Sequence, residues 1–200
     1  MCTTDIMLDL ETWGTSDTAA IRALAAVAFD PRRDDIHDIH DILLIDATPS
    51  IDDQIEHGRT IDPGTVKWWR NQKTPLTALL AEQDPEHIDT LAGILNRLEN
   101  FLIPWTGNDT GCIGGNVWTR GHFDAPILLH AWRTFDPQSA PPWKYWQEKD
   151  VRTLDVFIEK KAPERPHDPL SDCMAQIASV RMAHSLAAMA AESTCRSATA

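Results

Sequence analysis

Two acids stand one residue apart in the apolar run DIMLDLETWG: Asp9 and Glu11. In an extended strand, side chains at i and i+2 share a face, so these carboxylates project together while Leu8 and Leu10 point the other way. An ionised pair beside a low-dielectric core repels, and a divalent cation with oxygen ligands is the usual compensation. Spacing alone carries little, because Asp84 and Glu86 in QDPEH share it at what reads as a helix start. Position adds weight: Thr12 and Gly14 end the strand and leave both acids at its tip.

A metal site needs ligands from several elements, which directs attention to acids at other strand ends and helix starts. In GGNVWTRGHFDAPILLHAW, Asp124 follows a strand and opens a helix that buries Ile127, Leu128 and Ala131. In RPHDPLSDCMAQIASVRMAH, Asp172 opens the last helix, with His167 five residues earlier on a loop. Each has a plainer alternative. Asp124 can serve only as a helix cap, and the His-x4-Asp spacing recurs at His57 and Asp62, where Asp62 reads as a cap. The run DDIHDIHD does not read as a metal site: His37 and His40 lie three apart, so on a strand they face opposite sides, and a polar exposed edge explains them.

The elements that must bring these residues together are legible in outline. Segments 5–11, 22–29 and 36–46 read as three antiparallel strands, with Asp17 and Asp30-Pro31 in the turns. Ser50 caps a short helix, Asp62-Pro63 opens one through Val66, Trp68 and Trp69, and Thr74-Pro75 opens another through Leu79. Residues 87–102 place Ile88, Leu91, Ile94, Leu95, Leu98 and Leu102 on one helical face. After the turn TGNDTG, CIGGNVW reads as a strand and FDAPILLHAWRTF as a helix beyond Pro126. A Pro- and Trp-rich loop occupies 136–146, and RTLDVFIEK reads as a helix. The loop KKAPERPHDPLSD then leads into an Ala-rich helix over 172–191. Strands followed by alternating helices and strands predict an α/β fold, a mixed sheet with helices packed on it. The expected organisation is a single domain over 1–192 with a flexible polar tail at 193–200.

Composition narrows the function classes. The chain has 200 residues, 42% apolar and 24% charged, enough for a sizeable core. It shows neither a membrane-span-length apolar stretch nor a signal core, so a cytoplasmic protein with no membrane partner is expected. Cys2, Cys112, Cys173 and Cys195 are scattered, which suits reduced thiols rather than a structural zinc site. A net charge of −12 argues against a broad basic platform for duplex DNA, yet leaves room for a nucleic acid held locally at a metal-neutralised end.

Taken in order, Asp-x-Glu on the first strand, Phe-Asp after a central strand and His-x4-Asp before a late helix resemble the DEDDh exonucleases, which share a ribonuclease H-like fold. GRTIDPGTVKWWRNQ and DVRTLDVF look like the bacterial and phage branch, which includes exonuclease VIII-like enzymes and a mycobacterial 3′-to-5′ exoribonuclease-like domain. The resemblance covers most of residues 5–185. It implies that Asp9, Glu11, Asp124 and Asp172 form an acidic site for two divalent ions, Mg²⁺ or Mn²⁺, and that His167 is the general base. Such ions, about 3.5 to 4 Å apart, stabilise the attacking and leaving oxygens of phosphodiester hydrolysis together. A free imidazole titrates near pH 6.5, which suits it to take a proton from water. The implied substrate is a 3′ end of single-stranded RNA or DNA, and relatives suggest a homodimer. Thr12 and Trp13 would meet the terminal nucleotide, with Trp13 either stacking on its base or packing in the core. Lys160, Lys161 and Arg165 either contact phosphates or form a solvated basic stretch. Trp68 and Trp69 read as packing residues. One departure stands out: many relatives carry a small residue or an Asn-Gly-type turn before Phe-Asp, whereas this chain has Trp118-Thr119-Arg120-Gly121-His122. A non-catalytic nucleic-acid-binding protein retaining the same fold is the alternative these residues also allow.

Overall fold

Strand β1 (Asp5–Thr12) is the axis of a five-stranded sheet of order β3-β2-β1-β4-β5. A computed structural model describes residues 4–33, 39–46, 49–72, 89–106 and 115–198. β2 (Ile21–Phe29) pairs antiparallel with β1, and β3 (Ile39–Asp46) pairs antiparallel with β2. On the other side β4 (Val117–Thr119) runs parallel to β1, and β5 (Glu148–Asp150) parallel to β4. The helices are α1 (Ile51–Glu56), α2 (Pro63–Asn71), α3 (Leu91–Thr106), α4 (Asp124–Phe135) and α5 (Pro169–Ala198). This is the expected mixed α/β sheet, three antiparallel strands followed by parallel ones, with helices on both faces.

Period 2 along β1 decides which layer each side chain joins. Ile6, Leu8 and Leu10 are buried in one core with Leu91, Ile94, Leu95 and Leu98 of α3 and Ile127, Leu128 and Ala131 of α4. Met7 points the other way, into a second core with Val27, Cys173, Ile177 and Val180, the last three from α5. Asp9 and Glu11 share the parity of Met7 and therefore face α5. Their register partners on β2 are Ala25 and Ala23, whose small side chains leave the acids room. β2 itself is buried on both faces, which explains an apolar run without alternation.

Several expectations are corrected in detail. The last helix begins at Pro169, with Asp168 before it accepting from the Ser171 amide at 2.9 Å, so Asp172 lies in its first turn rather than opening it. It continues through Ala198, beyond the expected end at residue 191. RTLDVFIEK forms only a 3-10 helix, Val151–Val156. The edge strand β5 was not expected, since EKD has neither alternation nor apolar residues. His37, the helix predicted from Thr74-Pro75, the Asp84/Glu86 pair, Ile88, the TGNDTG turn beyond Thr106, the first residues of CIGGNVW, Cys2 and Cys112 lie outside the described residues. Among the described residues no helix is long and apolar enough to cross a membrane.

The start of the parallel half is tightly built around Gly115. The Ile6 amide donates to the Asn116 carbonyl at 2.8 Å, and the Gln147 side-chain amide donates to the Gly115 carbonyl at 2.8 Å. A Cβ on Gly115 would lie 1.5 Å from the Thr4 carbonyl oxygen, a backbone atom that cannot swing away. Gly115→Ala is therefore expected to destabilise by more than the about 1–3 kcal/mol typical of an overpacked core. Urea unfolding measures this; a midpoint equal to wild type would contradict the packing described.

Candidate active site

The short length of β4 creates the site. β1 runs on beyond β4, so the Leu10 amide, on the same edge as that of Ile6, has no strand to bond. The Asp124 carboxylate takes it instead, with Oδ1 accepting from Leu10 N at 3.2 Å. Gly121, at φ +84°, supplies the turn that brings the chain back, and its amide donates to Asp150 Oδ1 at 2.7 Å. The departure noted in the segment before Phe-Asp thus contains the residue that turns the chain there. Asp124 does not cap α4, whose N-cap position is Phe123; the acid is buried, and its carboxylate reaches the backbone of β1.

From the other layer, α5 contributes Asp172 and, one turn later, Gln176. Carboxylate oxygens of Asp9, Glu11 and Asp172 all lie within 4.8 Å of one another. Gln176 Nε2 donates to Asp9 Oδ1 at 2.9 Å. Asp124 belongs to the same electrostatic group, since its charge acts on both Asp9 and Glu11. Burial, then repulsion from Asp124, Glu11 and Asp172, raises the Asp9 carboxyl well above its ordinary value, against the Gln176 bond. Burial and Asp172 push Glu11 up to about 8, with the Arg22 guanidinium opposing. Burial pushes Asp124 up to about 7 against amide bonds that include that of Leu10. Asp172 is also raised by burial, with the His167 amide and imidazole opposing.

These residues suit a hard divalent cation. The donors are carboxylate oxygens, and Asp172 Oδ2 is buried with no hydrogen-bond partner among the described residues. Cys173, nearest along α5, is no competitor: burial raises its thiol well above the ordinary range, and its Sγ lies 3.7 Å from the Ala25 carbonyl.

Through Glu11 the cluster borders a cleft of about 410 Å³ lined by Glu11, Thr12, Thr15, Trp68 and Phe123 among others. Two bonds fix α2 as its wall: the Asp62 amide donates to the Trp13 carbonyl at 2.8 Å, and Trp69 Nε1 to the Thr12 carbonyl at 2.9 Å. Asp62 is the cap the sequence suggested, its Oδ2 accepting from Thr65 N at 2.6 Å. Thr12 borders the cleft, with its hydroxyl turned to the Gly14 carbonyl at 2.7 Å. Trp13 is buried with Ala20 and Trp69, the packing one of its two readings expects. The Arg22 guanidinium lies 4.9 Å from the Trp13 ring centre and 3.9 Å from that of Trp69. The pairing of Trp68 with Trp69 as packing residues needs correction: Trp69 is 1% exposed, Trp68 42%.

His167 is half-buried, its ring against Trp68 and Trp69. Lys160 and Lys161 are exposed, and Arg165 pairs with Asp168 at 3.2 Å. His40, on β3, is exposed with its ring 6.0 Å from that of Trp105. Sequence reasoning missed Gln176, although its i+4 spacing from Asp172 places it on the same helix face. It also missed the outward Trp68, although successive helix residues point about 100° apart.

Comparison with known proteins gives a consistent set. Residues 4–184 match the family model described as the 3′-5′ exoribonuclease Rv2179c-like domain. An exodeoxyribonuclease of Enterobacteria phage T4 is 26% identical over 216 residues, covering 90% of this chain and 88% of that protein. In fold, the chain is similar to E. coli exonuclease I in complex with a dT13 oligonucleotide, with TM-score 0.57, 17% identity and 90% of this chain covered. It is also similar to exonuclease I from Methylocaldum szegediense, with TM-score 0.55, 15% identity and 90% covered. The chain spans 41% and 40% of the length of those two exonuclease I chains.

The raised carboxyls fix the sign of a pH effect. A folded-state acid with a raised pKa retains protons that the unfolded chain releases, so its stabilising contribution is present at low pH and lost as pH rises. For Glu11 the window runs from 4.5 to about 8. Without divalent ions, Asp9→Asn should therefore raise the Tm over wild type at pH 8 by several degrees, with the difference shrinking toward pH 4.5. Added Mn²⁺ should raise the wild-type Tm most at pH 8 and the variant's little. Thermal scans in EDTA and in Mn²⁺ check this; equal Tm values for the two proteins at pH 8 in EDTA would contradict it.

Proposed function

Since the chain belongs to the 3′-5′ exoribonuclease Rv2179c-like domain family, we propose that it is a metal-dependent exonuclease removing nucleotides from the 3′ end of single-stranded nucleic acid. One observation carries this reading: Asp9, Glu11 and Asp172 converge at a strand tip where Glu11 also lines an open cleft. Two divalent ions, Mg²⁺ or Mn²⁺, are the proposed cofactors. Asp9, Glu11 and Asp172 would hold the first, and Asp124, beside Asp9, would help to place the second. When bound, such ions supply positive charge to both the attacking and the leaving oxygen of the phosphodiester.

The chain's own side chains do the rest. Bound cations would relieve the repulsion among the four acids, so that the protein would meet a polyanion with its local charge inverted. Gln176 holds Asp9 by one oxygen. The cleft seats the terminal nucleotide, with Phe123 offering an aromatic face to its base and Thr12 and Thr15 lining the cavity. His167 accepts a proton from the attacking water, and its backbone amide, bonded to the Asp172 carboxylate, keeps the base beside the metal ligands. Lys160 and Lys161, exposed on the loop that leads to His167, are placed to meet phosphates upstream of the end. Arg165, already paired with Asp168, is a weaker candidate for that role.

The test uses 5′-labelled single-stranded RNA and DNA of matched sequence with Mn²⁺ or Mg²⁺. Products should shorten from the 3′ end in single-nucleotide steps, and Asp9→Ala should abolish the ladder. His167→Ala should lower kcat by about 10²–10⁴-fold, the usual worth of a general base. Intact substrates of both kinds, or a wild-type rate for Asp9→Ala, would overturn the reading. Oligonucleotide binding without turnover would favour the non-catalytic alternative.

A further inference from the structure

His167 is the one non-glycine residue with positive φ among the described residues, at 62°. A left-handed backbone is uncommon for a residue with a Cβ and needs surroundings that hold it. Here the hold is explicit. Pro166 precedes it, and Asp168-Pro169 starts α5. The Asp168 carboxylate accepts from Ser171 at 2.9 Å and pairs with Arg165 at 3.2 Å, while its carbonyl accepts from the Asp172 amide at 2.9 Å. The His167 amide bonds the Asp172 carboxylate. Those contacts pin the backbone, yet none of them sets the direction of the imidazole ring.

Two tryptophans from α2 do. The His167 ring meets Trp68 at 4.8 Å between centroids and Trp69 at 5.9 Å, both edge-on with interplanar angles of 84°. Trp69 is held on several sides: buried, bonded to the Thr12 carbonyl and covered by Arg22. Trp68 stands edge-on to Trp69 at 4.9 Å and presents its outer part to the cleft. We propose that Trp68 is a positioning residue for His167, transmitting the fixed geometry of Trp69 and β1 to the imidazole. This rests on the reading of His167 as the general base. Edge-to-face packing suits the task because the ring quadrupoles favour one relative orientation. Proton transfer needs the base within hydrogen-bond reach of the water. Loss of that orientation therefore acts on turnover rather than on substrate affinity.

The test compares wild type, Trp68→Ala, Trp68→Phe, His167→Ala and the Trp68→Ala/His167→Ala double variant on a single-stranded oligonucleotide with Mn²⁺. Trp68→Ala should lower kcat by about 10–100-fold, the scale of a base misplaced by about 1 Å, with little change in KM. In the His167→Ala background the same change should cost less than about threefold, because its route of action is already gone. Trp68→Phe keeps an aromatic edge and should recover most of the rate. A readout independent of activity comes from NMR of the metal-free protein: the His167 ring protons, assigned by their loss in His167→Ala, should be shifted by the Trp68 ring current and move in Trp68→Ala. Equal costs of Trp68→Ala in both backgrounds, a change confined to KM, or unmoved His167 signals would overturn the proposal. A His167→Ala variant that keeps the wild-type kcat would overturn the general-base reading itself, and the proposal with it.

Discussion

Four carboxylates gathered at the tip of one buried strand repel one another, and much of the architecture around β1 serves to hold them together in spite of it. Asp9 and Glu11 come from the strand itself, Asp172 from the first turn of α5 and Asp124 from the first residue of α4, after the parallel neighbour β4. Alanines opposite the two strand acids leave space, and β4 stops early enough to leave a free amide that anchors Asp124. Packing of α5 on the sheet through Cys173, Ile177 and Val180 fixes the distance at which Asp172 and Gln176 meet the acids. The apolar contacts supply the stability that the carboxylates subtract, which is how a costly cluster persists in a folded chain.

The same arrangement explains how the cleft is divided. Glu11 brings the acidic cluster to its edge, and the rest of its lining is largely aromatic and hydroxyl-bearing, with α2 joined to the end of β1 by two hydrogen bonds. Of the three tryptophans nearby, Trp13 and Trp69 form a buried support with Arg22 against their rings, and Trp68 alone looks outward. Support and surface are therefore parts of one aromatic cluster, which reaches the His167 ring.

Much of this was legible in the sequence, for physical reasons that differ by element. Strand parity placed Asp9 and Glu11 on one face and Leu8 and Leu10 on the other, because period 2 admits no alternative. The order of the motifs pointed to the family to which the chain belongs. Exposure within the Trp68-Trp69 pair was not legible, since both residues are equally apolar and only the docking of α2 decides which one turns inward. The strand β5 escaped notice because three polar residues at a sheet edge carry no periodic signal. The length of α5 beyond residue 191 carries no signal in the sequence, because the apolar and Ala-rich pattern stops there while the helix runs on to Ala198. Gln176 carried a signal in its i+4 spacing from Asp172 on the last helix, but an uncharged amide among candidate ligands draws no attention until the carboxylate it holds is known.

The claim on which all else rests is that these acids form one cation site. Crystals grown with Mn²⁺ and a single-stranded oligonucleotide, measured for anomalous scattering, test it directly. The expected result is manganese density in contact with Asp9, Glu11 and Asp172. Manganese bound elsewhere on the protein, with the space between these three carboxylates lacking an anomalous peak, would contradict it.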